Sequence, residues 1–206
     1  MGLYSRYVLP HLINCACGAR PIEKERAKIV PRAAGVVLEL GFGSGRNLAH
    51  YDFARIEKIY ALEPEPGMLE LARKAAAGAP APIEILPEKA EDLSLPEASV
   101  DCVLVTYTLC TIPDGVAALK AARRALKPGG RLYFCEHGLA PDAQVARTQR
   151  RIEPLWSRLA GGCHLTRDIP ALLGQGGFRI EDLTSWYLPR TPQFAGYTYR
   201  GDAVAA

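Results

Sequence analysis

The chain has 206 residues, 49% hydrophobic and 23% charged, a composition that suits one ordinary globular domain and excludes a disordered chain. A net charge of +3 demands no nucleic-acid partner, and the densest basic spot, Arg147, Arg150 and Arg151, reads as a solvated helix face. No apolar run approaches the ~20 residues of a membrane-spanning helix, and Met1 to Pro10 lacks a signal-peptide core, so a cytoplasmic protein without an integral membrane segment is expected.

Taken in chain order, residues 1–31 form an N-terminal helical cap on a single domain covering 1–206. Tyr4, Tyr7, Val8, Leu12 and Ile13 recur at roughly helical spacing, and Glu23 to Ile29 reads as a second short helix. Val36 to Leu40 is a buried strand that runs into Gly41-Phe42-Gly43-Ser44-Gly45, where glycines turn the backbone sharply into a following helix. Strands then alternate with helices: Ile59 to Leu62, helix Met68 to Ala77, Ile83 to Leu86, Val100 to Thr106, helix Val116 to Leu126. Lys127-Pro128-Gly129-Gly130 stops that helix, and Arg131 to Glu136 is a fifth strand. After a polar, Arg-rich helix come a short helix at Asp168 to Leu173, a strand at Phe178 to Leu183 and a closing strand at Phe194 to Tyr199. Such alternation specifies an α/β fold: a parallel sheet with helices on both faces.

Six cysteines stand at positions 15, 17, 102, 110, 135 and 163. Cys102 and Cys135 fall in apolar strand-like runs as small hydrophobes, a usage suited to a reducing compartment. Cys15-Ala16-Cys17 has no second cysteine or histidine pair at zinc spacing, so no metal is expected.

In an open parallel sheet the ligand lies outside the carboxyl ends of the strands. Here the first strand ends in the glycine turn, spaced G-x-G-x-G and not the G-x-G-x-x-G of dinucleotide sites. Glu39 just before it would repel a phosphate and welcome an ammonium, which points to an amino-acid-bearing nucleoside. Glu63 ends the second strand, where a carboxylate accepts hydrogen bonds from both ribose hydroxyls. Ala90-Glu91-Asp92-Leu93 offers a backbone N–H and a carboxylate to an adenine edge. Thr106 to Thr111 follows the fourth strand, and Glu136-His137 ends the fifth.

With Leu38-Glu39-Leu40-Gly41-Phe42-Gly43-Ser44-Gly45 and Leu126-Lys127-Pro128-Gly129-Gly130 in this order, the sequence resembles the class I S-adenosylmethionine-dependent methyltransferases over nearly its whole length. The resemblance implies a Rossmann-like seven-stranded sheet, mostly parallel with the last strand antiparallel. It also implies S-adenosyl-L-methionine as methyl donor and S-adenosyl-L-homocysteine as product. Carried over by position, Gly41, Phe42, Gly43, Ser44, Gly45 and Asn47 approach the methionine and ribose, and Glu39 faces the methionyl ammonium. Glu63, Pro64 and Met68 hold the ribose side, Ala90, Glu91 and Asp92 flank adenine, and Thr106, Tyr107 and Thr108 line the donor near its sulfonium.

The stretch Thr106-Tyr107-Thr108-Leu109 is not the [DN]-P-P-[YFW] of amino-group methylation, no Pro-Cys nucleophile occurs, and no acidic cluster for magnesium assembles. Tyr4-Ser5-Arg6-Tyr7, Leu109-Cys110, Phe134-Cys135-Glu136-His137, Gly162-Cys163-His164-Leu165-Thr166-Arg167 and Gly196-Tyr197 look like the small-thiol S-methyltransferase branch. The expected acceptor is therefore a compact thiol or sulfide such as methanethiol or hydrogen sulfide. A thiol suits the chemistry, because a pKa near 8.5 leaves a few per cent thiolate at neutral pH.

His137 is the expected general base or thiolate-orienting group, with Glu136 beside it fixing a ring tautomer or serving as a structural carboxylate. His164 and Arg167 are weaker candidates for shaping the acceptor pocket, Asp168 is a helix cap, and His11 and His50 are structural. Cys110 and Cys163 border the pocket, roofed by Tyr4, Tyr7, Leu12, Trp156, Trp186 and Tyr187. The alternatives are C- or O-methylation of a quinone-like aromatic, N-methylation of a phospholipid amine, an NAD-dependent reductase, and a donor-binding module without turnover. A monomer or homodimer acting on a small molecule, with no nucleic-acid partner, is expected.

Overall fold

A computed structural model describes residues 14–206. A helical turn at 14–17 leads into α1 (Arg20–Ile29). Pro21 in the first turn of α1 sets the helix φ, so α1 begins earlier than the apolar spacing from Glu23 suggests. Then follow β1 (Gly35–Leu40), β2 (Ile56–Leu62), α2 (Pro66–Ala77), β3 (Ile83–Leu86), β4 (Val100–Thr106) and α3 (Gly115–Ala125). The chain closes with β5 (Leu126–His137), α4 (Ala143–Leu159), α5 (Ile169–Gln175), β6 (Phe178–Tyr187), α6 (Gln193–Gly196) and β7 (Tyr197–Ala205).

One seven-stranded sheet runs in the order β3-β2-β1-β4-β5-β7-β6. β1 to β5 pair in parallel, and β7 runs antiparallel to both β5 and β6. Alternation along β4 explains why it is central. Val103 and Val105 face one side, against Leu119 and Ala122 of α3 and Leu172 and Leu173 of α5. Cys102 and Leu104 face the other, with Val37, Ile59, Cys135, Ile29 of α1 and Ala72 of α2. Cys102 and Cys135 are thus buried core thiols. Both faces of the sheet are covered, as a parallel sheet requires. Asp114 and Asp168 start α3 and α5 by accepting the N–H groups of Ala117 and Ala171. No helix among the described residues is long and apolar enough to cross a membrane.

Three features differ from the expectations. The glycine turn opens into a four-residue 3-10 turn, Arg46–Ala49, and not an α-helix; a second short turn, Phe53–Arg55, fills the rest of the link to β2. Lys127-Pro128-Gly129-Gly130 lies inside β5 as an irregular entry. Val100 pairs with Leu126 and Cys102 with Arg131, so extra residues bulge out of β5. The last strand is Tyr197–Ala205, because Phe194 sits in the short α6. Its polar letters hide a buried strand: Asp202, 2% exposed, is neutralised by Arg32 at 2.6 Å and by Arg131. Gly201 is needed where Asp182 O crosses, 1.9 Å from where a Cβ would stand.

Candidate active site

The carboxyl ends of β1, β2, β4 and β5 converge, and the first of them carries the glycine turn. Gly41 (φ +74°) has Thr108 so close that a Cβ would stand 2.3 Å from its methyl. The loops after β1 and β4 therefore touch only because residue 41 is glycine. Gly43 (φ +59°) is less crowded: among the described residues only the Met68 methyl nears an added Cβ, at 3.7 Å. Its N–H donates to Glu63 Oε2 at 2.8 Å, and the Glu65 N–H donates to Glu63 Oε1 at 3.0 Å. Glu63, 6% exposed, thus stands at the end of β2 with lone pairs left for a ligand. Burial raises its pKa, and the two amides oppose that rise.

Arg26 of α1 was not foreseen from sequence. It is 5% exposed, and Nη1 donates to Asn47 Oδ1 at 2.7 Å and Thr106 Oγ1 at 2.5 Å. Its guanidinium lies 5.3 Å over the Tyr107 ring, and its Nε is buried with no acceptor among the described residues. Asn47 Nδ2 in turn donates to Glu39 Oε1 at 2.9 Å, and Tyr51 OH donates to Glu39 Oε2 at 2.6 Å. Glu39 is 1% exposed with both oxygens engaged, so it braces the turn from below. Burial drives its pKa up to about 7 despite those hydrogen bonds and the nearby Arg26 charge.

From the N-terminal side, Asn14 Oδ1 accepts from Ser44 Oγ at 2.6 Å and Arg46 Nε at 2.9 Å. Glu23 pairs with Arg46 and His50, at 3.3 and 2.7 Å. Of the remaining donor-side candidates, Phe42 is buried in the core and Pro64 is exposed. Ala90 is buried, Glu91 accepts the Asp114 N–H at 3.1 Å, and Asp92 is exposed.

Tyr107 bends the chain beyond β4. It is a non-glycine residue at φ +54°, its N–H held by Cys135 O at 2.8 Å. The bend aims the amides of Thr108 and Leu109 at Glu136, whose Oε1 accepts from Thr108 at 2.8 Å. Glu136 is fully buried, its Oε2 has no partner among the described residues, and burial lifts its pKa to about 7 against those amides. It therefore acts as the structural carboxylate of the loop and makes no hydrogen bond to the neighbouring imidazole.

His137 Nε2 lies 3.2 Å from Cys163 Sγ, and its Nδ1 is buried without a partner among the described residues. Burial lowers the imidazole pKa, but the Cys163 hydrogen bond and the surrounding negative charges carry it above its ordinary value. Trp156 Nε1 donates to the same sulfur at 3.4 Å. Cys110 Sγ, a His137 ring nitrogen and Cys163 Sγ all lie within 4.8 Å of one another. The thiol of Cys163 is pushed far up, first by its hydrogen bond with Cys110 and then by burial.

His164 and Arg167 do not join this corner by their side chains. His164 Nδ1 meets Glu153 Oε1 at 2.8 Å, while its N–H donates to Cys110 O at 2.8 Å. Glu153 also accepts the N–H groups of Leu165 and Thr166, clamping the segment to α4. Arg167 Nη2 donates to Ile112 O at 2.8 Å and so ties the same segment to the loop after β4. Both residues position Cys163 beside Cys110. Trp156 packs edge-on against Phe194, with ring centres 5.9 Å apart. Trp186 lies under Arg200 and Lys28, 4.9 and 6.0 Å from its ring, and Tyr187 OH donates to Asp142 at 2.5 Å. Among the described residues neither makes a hydrogen bond or ring contact with the Cys163 corner. Tyr4, Tyr7, Leu12 and His11 lie outside the described residues.

The donor side fits a ligand with a vicinal diol and an amino-acid tail. Among the described residues, a buried carboxylate ends β2, only the Met68 methyl nears Gly43, and the Arg26 Nε–H is buried without an acceptor.

The family profile described as a methyltransferase domain matches residues 38–134, the span from the glycine turn to β5. The rat (Rattus norvegicus) thiol S-methyltransferase TMT1B is 34% identical over 136 residues, covering 64% of this chain and 55% of its own length. A demethylmenaquinone methyltransferase of Clavibacter sepedonicus is 31% identical over 119 residues, covering 58% of this chain and 48% of its own. The chain thus spans about half the length of both relatives. Among solved structures, a Haloferax volcanii methyltransferase complexed with the activator Trm112 superposes with a TM-score of 0.71 at 17% identity, covering 98% of this chain and 96% of that one.

Proposed function

Because this chain belongs to the class I S-adenosylmethionine-dependent methyltransferases, we propose that it methylates the sulfur of a small thiol or sulfide, giving a methyl thioether. S-adenosylmethionine supplies, when bound, an electrophilic methyl group on a positively charged sulfur. The chain's own work is to align the partners, exclude water and keep the acceptor's sulfur available as thiolate.

On the donor side, Glu63 holds the ribose diol, Ala90 and Asp92 meet the adenine edge, and Arg26 offers its guanidinium to the methionyl carboxylate. Gly43 leaves the space for the nucleoside to approach the backbone. Glu39 contributes indirectly by fixing Asn47 under the turn.

One observation carries the choice of acceptor: the sulfur-rich corner of Cys110, His137, Cys163 and Trp156 beside the bend after β4. Its thiols, imidazole and indole suit a compact, polarisable sulfur better than a phosphate or a bulky amine. His137 orients the acceptor's thiolate there, and Glu136 keeps Thr108 and Leu109 against the donor. The likeness to a thiol S-methyltransferase supports the same reading.

The test is a panel of acceptors offered with methyl-labelled donor: small thiols and sulfide, a phenol, a demethylated quinol, a phospholipid amine. Label should enter the thiols at the highest rate. Brisk transfer to the quinol, phenol or amine with none to any thiol would overturn the proposal.

A further inference from the structure

The side chains of Cys110, His137 and Cys163 come from three separate segments, yet their ligating atoms lie within 4.8 Å of one another. Tetrahedral zinc, with bonds of about 2.0–2.3 Å to nitrogen and sulfur, keeps its ligand atoms roughly 3.5 Å apart. The 3.2 Å between His137 Nε2 and Cys163 Sγ is already close to that spacing. Two sulfurs and one imidazole are a ligand set that zinc uses in catalytic sites, where a fourth position stays open for water or substrate.

We propose that Cys110, His137 and Cys163 bind a thiophilic divalent cation, zinc foremost, whose fourth position takes the sulfur of the acceptor thiol. This rests on the thiol reading of the acceptor and gives its corner a chemical task. Two protein thiol protons leave to solvent as the cation binds. The acceptor's proton leaves in the same way when its sulfur joins, so His137 serves as a ligand. The held thiolate then forms the new bond to the methyl carbon as the bond between that carbon and the donor's sulfonium breaks. The thioether carries no charge and leaves the cation, and nothing is oxidised or reduced.

The surroundings are built to hold such a centre. Trp156 Nε1–H points at Cys163 Sγ from 3.4 Å, the kind of N–H to sulfur contact that steadies a metal thiolate. The His164 amide on Cys110 O joins the two cysteine segments. Glu153 and Arg167 fix the Cys163 segment to α4 and to the loop after β4. A cluster of three thiol and imidazole groups satisfied by one another is the plain alternative, and it binds no cation tightly.

The experiment uses the full chain, freed of metal by a chelator and titrated with Co2+ in the absence of donor. One equivalent should give the sulfur-to-cobalt charge-transfer band in the near ultraviolet, and methanethiol should intensify it as a third sulfur joins. Cys110→Ser and Cys163→Ser should each weaken Co2+ binding at least tenfold, Trp156→Phe by about tenfold, and the exposed Cys15→Ser not at all. Thermal melts confirm that the variants are folded. No charge-transfer band, a band that survives Cys110→Ser/Cys163→Ser, or no response to methanethiol would overturn the inference. So would full thiol methylation by the chelated protein, which would leave the thiol reading intact. Thiol-responsive cobalt binding without thiol methylation would instead retain the site and refute that reading.

Discussion

At the scale of single residues, the proposed donor side rests on two glycines and two acids. Gly43 holds φ +59°, and among the described residues only the Met68 methyl nears its missing side chain, at 3.7 Å, so its restriction there is conformational. Gly43→Ala should cost roughly 1 kcal/mol of stability from the left-handed backbone, while donor affinity falls by more than tenfold. Calorimetric titration with S-adenosylhomocysteine beside a thermal melt separates the two effects. Equal small changes in both would remove the glycine from the site.

Glu39 gives a pH test. Its carboxyl is held at about 7 in the folded chain against an ordinary 4.5. Between those values the unfolded chain has released a proton that the folded chain still binds, so stability falls as pH rises from 4.5 to 7. Glu39→Gln removes that penalty. The variant should gain about 3 kcal/mol on the wild type at pH 8 and nothing at pH 4, measured by denaturant unfolding. A gain independent of pH would show that Glu39 ionises freely in the fold.

Glu39, Gly41, Gly43 and Glu63 were legible as a set, because a glycine turn between two strand-terminal acids is a local pattern. Whether a carboxylate faces the ligand or the core is not local. Asn47 and Tyr51 decide that for Glu39, and both lie on an irregular stretch whose letters show no period.

At the scale of elements, the strand–helix alternation was legible because central parallel strands carry near-continuous apolar runs, as Cys102 to Val105 does in β4; the edge strand Ile83–Leu86, only half-buried, was legible from its β-branched residues. β7 was misjudged because its buried Asp202 reads as polar until Arg32 and Arg131 are beside it. α4 is the polar, Arg-rich helix expected after β5, but its buried anchor is also a polar side chain. Its inward Gln149, 1% exposed, accepts from the Ala140 N–H and donates to the Gly138 and Phe194 carbonyls at 3.0 Å. One side chain thus joins α4 to the exit of β5 and to α6. Gln149→Leu leaves two buried backbone groups and a half-buried one without this partner, which should cost about 2–3 kcal/mol and lower the melting temperature by roughly 5–10 °C. A change under 1 °C would mean water replaces the amide there. Donor affinity should stay unchanged, since α4 stands away from the glycine turn.

For the whole molecule, the topology sets out a division of labour. The ends of β1 and β2 carry the glycine turn and the Glu63 carboxylate proposed for the donor, while β5, the loop after β4 and the segment held by α4 bring sulfur and imidazole together from distant parts of the chain. The first half was visible in sequence because its residues lie within one strand–turn–strand stretch. The second was visible as three short segments far apart in the chain, around Cys110, His137 and Cys163, whose meeting no spacing predicts, and Arg26 lies on a helix read from the sequence whose inward charge has no local signal. Two-substrate steady-state kinetics on Glu63→Gln and His137→Asn tests this division most directly, with donor and methanethiol varied independently. Glu63→Gln should raise the donor KM by about 100-fold, the loss expected for a charged hydrogen-bond acceptor, and leave the thiol KM near the wild-type value. His137→Asn should depress kcat or raise the thiol KM while donor affinity is kept. Loss of donor affinity in His137→Asn, or a Glu63→Gln defect confined to the thiol, would contradict the account.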